Sequence, residues 1–309
     1  GLASTQAAAL TTDQIEALTT TQVAALSATA LDGIAATQIA ALTTTQTASL
    51  GATQFASLDA TQIAALSTDQ IEALTTTALA GLTAIQMADL SLAQLARLAA
   101  TQIAAIGAGA VGGLTETQIA GLATTQLAAL TATEIGGLTT TQIGALSATQ
   151  LATLTTTQLR GLTATEVGAL TATQVAAFGT TQLAGLSATQ IRSLTAGQTQ
   201  VFDATAVAAL TTTQIAALSA GGLDGLGTDA IAALASTQVA ALVASQIAAL
   251  DATALGALSS TRIGALTTTA VGGLTATQVA DLSLAQLAAL ATTQIAALST
   301  AAIRGLGET

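Results

Sequence analysis

No cysteine, proline, histidine, tryptophan, tyrosine or lysine occurs in the 309 residues. Without cysteine there are no disulfides, no thiolate catalysis and no cysteine–zinc sites, and the chain needs no oxidising compartment. Without histidine no His-based triad can be built. Aromatic residues are 1% and charged residues 7%, which leaves few of the anchors that dominate binding interfaces. The five basic residues, Arg97, Arg160, Arg192, Arg262 and Arg304, are far apart, and the net charge is −11. Nucleic acid and anionic lipid surfaces are therefore poor partners, and the acidity reads as a source of solubility. Long apolar runs are missing too. Thr or Gln interrupts every few positions despite a mean hydropathy of +0.70, so no stretch approaches the roughly 18 apolar residues of a membrane span. Residues 1–10 carry no charged leader of the secretory type.

What the chain does have is one short unit, repeated. Hydrophobic residues make up 51%, too many for a disordered chain, and Ala, Thr, Leu, Gln, Ile and Gly dominate. In a frame starting at Ala3, residues 3–306 divide into 38 units of eight with no insertion or deletion. The consensus is T-[TA]-T-Q-[IVL]-A-[AG]-L, with places in the unit numbered one to eight below. Position eight is Leu except at Ile34, Ile106, Phe178 and Phe202. Position five is aliphatic except at Ala7, Thr47, Phe55, Met87 and Thr199. Position four is Gln or Glu in 28 units. A longer period lies on top. The segments beginning at Thr75 and Thr267 are near copies, 192 residues apart, as block duplication would leave them. Residues 1–2 and 307–309 are partial units. An array that opens in mid-unit without an initiator Met is expected to be a segment or processed form of something longer.

The period selects helix over strand. In a strand the aliphatics at positions five and eight would face opposite ways. In a helix, three residues apart, they share a face. With position one as N-cap, T-x-x-Q becomes a capping box, and the Leu before the cap and the aliphatic at position five form a hydrophobic staple. Leu210, Thr211, Gln214 and Ile215 show the full pattern. One continuous helix is excluded, because eight residues advance it by about 800° and each unit would drift about 80° from the last. A break is expected between each closing Leu and the next Thr, leaving a helix over positions two to seven or eight. Helices that short are buried only by their neighbours, so the expected fold is all-α: an α-solenoid of very short capped helices, one per unit. The 192-residue block is compatible with coils of 16, 24 or 32 residues. The smallest closed arrangement, 16, is the expectation.

Acid pairs are the one catalytic raw material. Asp13 with Glu16, and Asp69 with Glu72, lie three apart on a helix and could ligate calcium or do acid–base work. Acids near a helix N-terminus more simply complement its dipole. Ser and Thr read as caps rather than nucleophiles. GAGAVGGL at Gly107 lacks the Lys-Ser/Thr of a phosphate loop, and SAGGLDGLGTDA at Ser219 reads as a softer coil. TAGQTQVF at Thr195 is the least regular unit and a candidate kink. No catalytic, cofactor-binding or metal-ligating residue is expected.

TTTQIAAL at Thr211 and TATQVADL at Thr275 carry a resemblance that covers residues 3–306. The array resembles octapeptide (TTxQIAAL-type) repeats of very large, low-complexity bacterial proteins with secreted or surface-associated regions. That resemblance implies a surface-exposed or filament-forming bacterial protein, extracellular or at the cell surface. The functional expectation is a structural, non-catalytic fibre, sheath or adhesin stalk that self-associates. The alternatives are a solenoid binding a glycan or peptide, and a Thr-ladder ice-binding surface.

Overall fold

The computed structural model of the protein describes residues 2–307. Of the two partial units, residues 1, 308 and 309 lie outside the described residues. The chain forms two compact units, one ending at Gly161 and one beginning at Leu162, and both are built in the same way. Helices run from α1 (Ser4–Ala8) to α38 (Thr300–Ile303), one in each octad, and Arg304–Gly307 adds a 3₁₀ turn. No strand occurs among the described residues. No helix among them is long and apolar enough to cross a membrane.

Each helix has four to six residues and starts at position two. In α27 (Thr212–Ala217) the N-cap Thr211 is extended (φ −70°, ψ 160°), and its hydroxyl accepts the N–H of Gln214. The longer helices end at position seven, before an extended closing Leu. After α12 (Leu92–Arg97), Leu98 has φ −68° and ψ 122°, and the next N-cap, Ala99, has φ −66° and ψ 158°. The break is therefore two extended residues at the Leu–cap boundary. Helices commonly stop on a left-handed residue, usually glycine. Here no described residue has positive φ, so ordinary L-residues serve at every boundary and the octad repeats without special turn chemistry.

The coil differs from the 16-residue expectation. Within each compact unit, every helix packs against the helix three octads on, as α9 (Thr68–Ala73) does on α12 and α26 (Ala204–Ala209) on α29 (Thr228–Ala233). Side-chain hydrogen bonds reach farther, 28 to 31 residues back, into the fourth octad upstream. A turn of the solenoid thus holds more than three octads and fewer than four. The physical reason lies in the link. A two-octad coil needs a half-turn at each boundary, whereas this pair of extended residues bends the chain by a third to a quarter of a turn.

Positions five and eight line the interior, as their spacing predicts. Ile63, Leu66, Leu95 and Leu98 are all buried, and each repeat buries its aliphatics against neighbours rather than against itself. Coils also approach closely at several of the position-seven glycines. A β-carbon on Gly113 would stand 2.1 Å from the Ala84 carbonyl oxygen, and one on Gly161 the same distance from that of Ala132. In both cases the C-terminal end of one helix meets the N-terminal end of the helix three octads back.

Candidate functional site

The most repeated polar feature is a joint built on the Gln of position four. A six-residue helix leaves most of its N–H and C=O groups without an intrahelical partner. In α12 the cap hydroxyl of Ser91 accepts the Gln94 N–H (3.2 Å), and Gln94 Oε1 accepts the Ser91 N–H in return (2.8 Å). That is the capping box expected from the sequence. Gln94 then does a second job. Its Nε2 donates to the carbonyl oxygens of Ile63 and Leu66, both at 2.8 Å, at the end of α8 (Ala60–Ala65). One buried amide therefore caps the start of its own helix and the end of a helix in the previous coil.

The joint recurs in both compact units. Gln246, 1% exposed, accepts the Val243 N–H (2.9 Å) and donates to Ile215 and Leu218, both at 2.8 Å. Where position one is Ala or Gly the box is reduced to half: Ala123 offers no hydroxyl, yet its N–H still donates to Gln126 Oε1 at 3.0 Å. The sequence pattern predicts Gln as a cap and does not predict the inter-coil donor. The signal was present, because a capping box accepts Glu as readily as Gln, and this chain places Glu there only at Glu134 and Glu166.

Ten octads lack Gln or Glu at position four. Buried Ala78 is one, and the Leu50 carbonyl, 28 residues back, receives no N–H among the described residues. Ala78→Gln supplies the missing amide to Leu50 and an acceptor to the Thr75 N–H. It is expected to raise unfolding stability by about 1 kcal/mol, the net worth of a hydrogen bond or two, measured as a shift of the urea midpoint.

The acid pairs take different surroundings. Arg97 reaches back one coil, where its Nη2 pairs with Asp69 Oδ1 at 3.1 Å and with Glu72 Oε2. These groups are about half exposed or more, so the pairing stabilises little. Asp13 and Glu16 are exposed on α2 (Thr12–Glu16). No cluster of three acids fit to hold a metal occurs among the described residues. Asp59, an N-cap, receives the Thr61 hydroxyl (2.7 Å) and the Gln62 N–H (2.8 Å). These bonds, the hydroxyl first, hold its carboxyl below the ordinary value. Its folded value being depressed, its contribution to stability is complete above the unfolded value and is lost as pH falls through the folded one.

The irregular octads remain helical. GAGAVGGL forms α14 (Ala108–Val111) without a capping hydroxyl. SAGGLDGL forms α28 (Ala220–Asp224), with the Ser219 hydroxyl accepting the Gly222 N–H at 2.9 Å. TAGQTQVF keeps its capping box around α25 (Ala196–Thr199). The buried hydroxyls of Thr47 and Thr199 donate to the carbonyls of Thr43 (3.0 Å) and Thr195 (3.2 Å), so polar residues sit at position five without an orphaned group. Phe178 and Phe202 close two octads in neighbouring coils. With Val175, Leu183 and Asp203 they border a cleft of about 260 Å³, just below the range usual for small-molecule sites.

No curated protein matches the chain. Residues 119–156 and 207–244 match the ALTTAQ repeat. The pattern Ala209-Leu-Thr-Thr-Thr-Gln214 in the second match runs from the closing Leu across the boundary to the joint-forming Gln.

Proposed function

We propose that this is a structural, non-catalytic protein that serves as an extracellular fibre, sheath or adhesin stalk and self-associates in that role. One observation carries the reading: its recurrent polar residues are engaged in capping its own helices and in holding one coil to the next. Ser and Thr hydroxyls accept helix N–H groups, and Gln amides bridge coils. A scaffold of identical joints tolerates drift and lengthening, because each repeat contacts only its neighbours.

The test is cryo-electron microscopy of the purified chain without any partner. Ordered filaments of short helices are expected. Dispersed monomers at every concentration would remove self-association from the proposal. The ligand-binding alternative has one observation in its favour, the cleft between Phe178 and Phe202. A glycan or peptide held there would raise thermal stability in proportion to its binding of the folded state.

A further inference from the structure

Position one normally carries the capping Thr or Ser, and one column of the solenoid has lost it. Gly179, Asp203 and Gly227 hold position one in octads three apart. Their helices, α23 (Thr180–Gly185), α26 and α29, pack on one another in consecutive coils. A β-carbon on Gly227 would meet nothing within 4 Å, and one on Gly179 only Gln182 Oε1 at 3.9 Å. The room that a Thr side chain fills in other octads is therefore open here. Two clefts border these places. The first, of about 260 Å³, is lined by Gly179, Phe178 and Leu183 on one coil and by Phe202 and Asp203 on the next. The second, of about 540 Å³, is lined by Phe202 and Asp203 and, one coil farther, by Gly227 and Asp229. They share Phe202 and Asp203, so the column carries one groove across three coils.

The groove is acidic, and no Arg borders it. Asp203 uses one carboxylate oxygen as a cap, accepting the Ala206 N–H at 2.7 Å. Its other oxygen accepts no hydrogen bond among the described residues, and neither does the Asp229 carboxylate. Both side chains are exposed. They stand on adjacent coils, and packed helices lie about 8–10 Å apart, so the charges are spaced along the groove rather than gathered at a point. A metal ion needs converging oxygens, and no cluster of three acids occurs among the described residues. The wall beside the charges is apolar, formed by Phe178, Leu183 and Phe202. We propose that this groove binds a linear aliphatic polyamine, with ammonium groups on Asp203 and Asp229 and methylene segments along the apolar wall. Charge complementarity selects that occupant: spaced cations on a flexible apolar stem, which lies on apolar surface while its charged groups stay in water. The site lies within one compact unit and does not depend on self-association.

Spermidine is the probe, titrated into the purified chain by calorimetry at fixed ionic strength. Saturable binding is expected. Asp203→Asn with Asp229→Asn is expected to weaken it about tenfold, the worth of two exposed ion pairs. Asn caps a helix as well as Asp does, so the variant folds. The control removes the same charge elsewhere: Asp13→Asn with Glu16→Gln, on exposed α2 in the other compact unit, is expected to leave binding unchanged. Gly227→Thr restores the residue usual at position one and narrows the groove without touching charge. It is expected to weaken binding as well. Equal losses in the two charge variants would mean diffuse attraction to an acidic chain and overturn the proposal. So would binding that Gly227→Thr leaves unchanged, or no binding of spermidine, including the case in which only a lysine-rich peptide binds.

Discussion

Replacing Gln94 by Met is expected to destabilise the protein by about 2–4 kcal/mol, the cost of leaving buried polar groups unpaired. Met matches Gln in length and fills the same space, so the loss is polar rather than steric. It strips four bonds at once: the Ser91 N–H and hydroxyl lose their acceptor, the Leu66 carbonyl loses its donor, and the Ile63 carbonyl keeps only the Leu66 N–H. Ser91→Ala is the comparison. It removes the hydroxyl's two cap bonds, from the Gln94 N–H and to Gln94 Oε1, at about 1 kcal/mol, and leaves the inter-coil bonds intact. A urea titration of both variants separates the two halves of the joint. Equal losses would mean that the amide acts as a cap alone and that the bonds between coils contribute nothing net. Amide exchange adds location: with Gln94→Met, protection should fall first around Ser91, since solenoids open locally.

That asymmetry explains what the sequence could and could not disclose. Ile at position five and Leu at position eight, three apart, dictate a helix with one buried face, and Thr211 with Gln214 dictates its start. Both depend on local spacing, and both are found in α27 as expected. The number of octads per turn has no such local sign. It is set by the bend across pairs such as Leu98–Ala99, whose extended torsions are open to any residue, so a 16-residue coil could not be told from a larger one by residue type. The inter-coil bond of Gln94 lies between these cases. Its partners are backbone carbonyls of Ile63 and Leu66, which leave no mark on residue identity. Its donor does leave one, in the preference for Gln over Glu at position four.

Two glycines in a single octad should respond in opposite directions to the same substitution. Gly109→Ala is expected to stabilise by about 0.5–1 kcal/mol, because glycine inside a helix costs that much relative to alanine. Gly109 lies within α14, and a β-carbon there meets nothing within 4 Å. Gly113→Ala is expected to destabilise by about 1–3 kcal/mol, the range for overpacking. Its β-carbon would stand 2.1 Å from the Ala84 oxygen, 2.5 Å from the Ala84 Cα and 2.6 Å from the Ala84 carbonyl carbon. Those are backbone atoms at the start of α11 (Ala84–Asp89), so no side chain can swing aside. Relief requires the two coils to part, and parting them stretches the bonds from Gln118 to Met87 and Leu90, at 2.8 and 2.7 Å, that hold the end of α11 to the coil above. The glycine and the Gln joint therefore fix the same spacing from opposite ends of one helix. Thermal unfolding of the two variants checks this. If Gly113→Ala is neutral, the coils separate freely, and the close approach is not what sets the pitch of the solenoid.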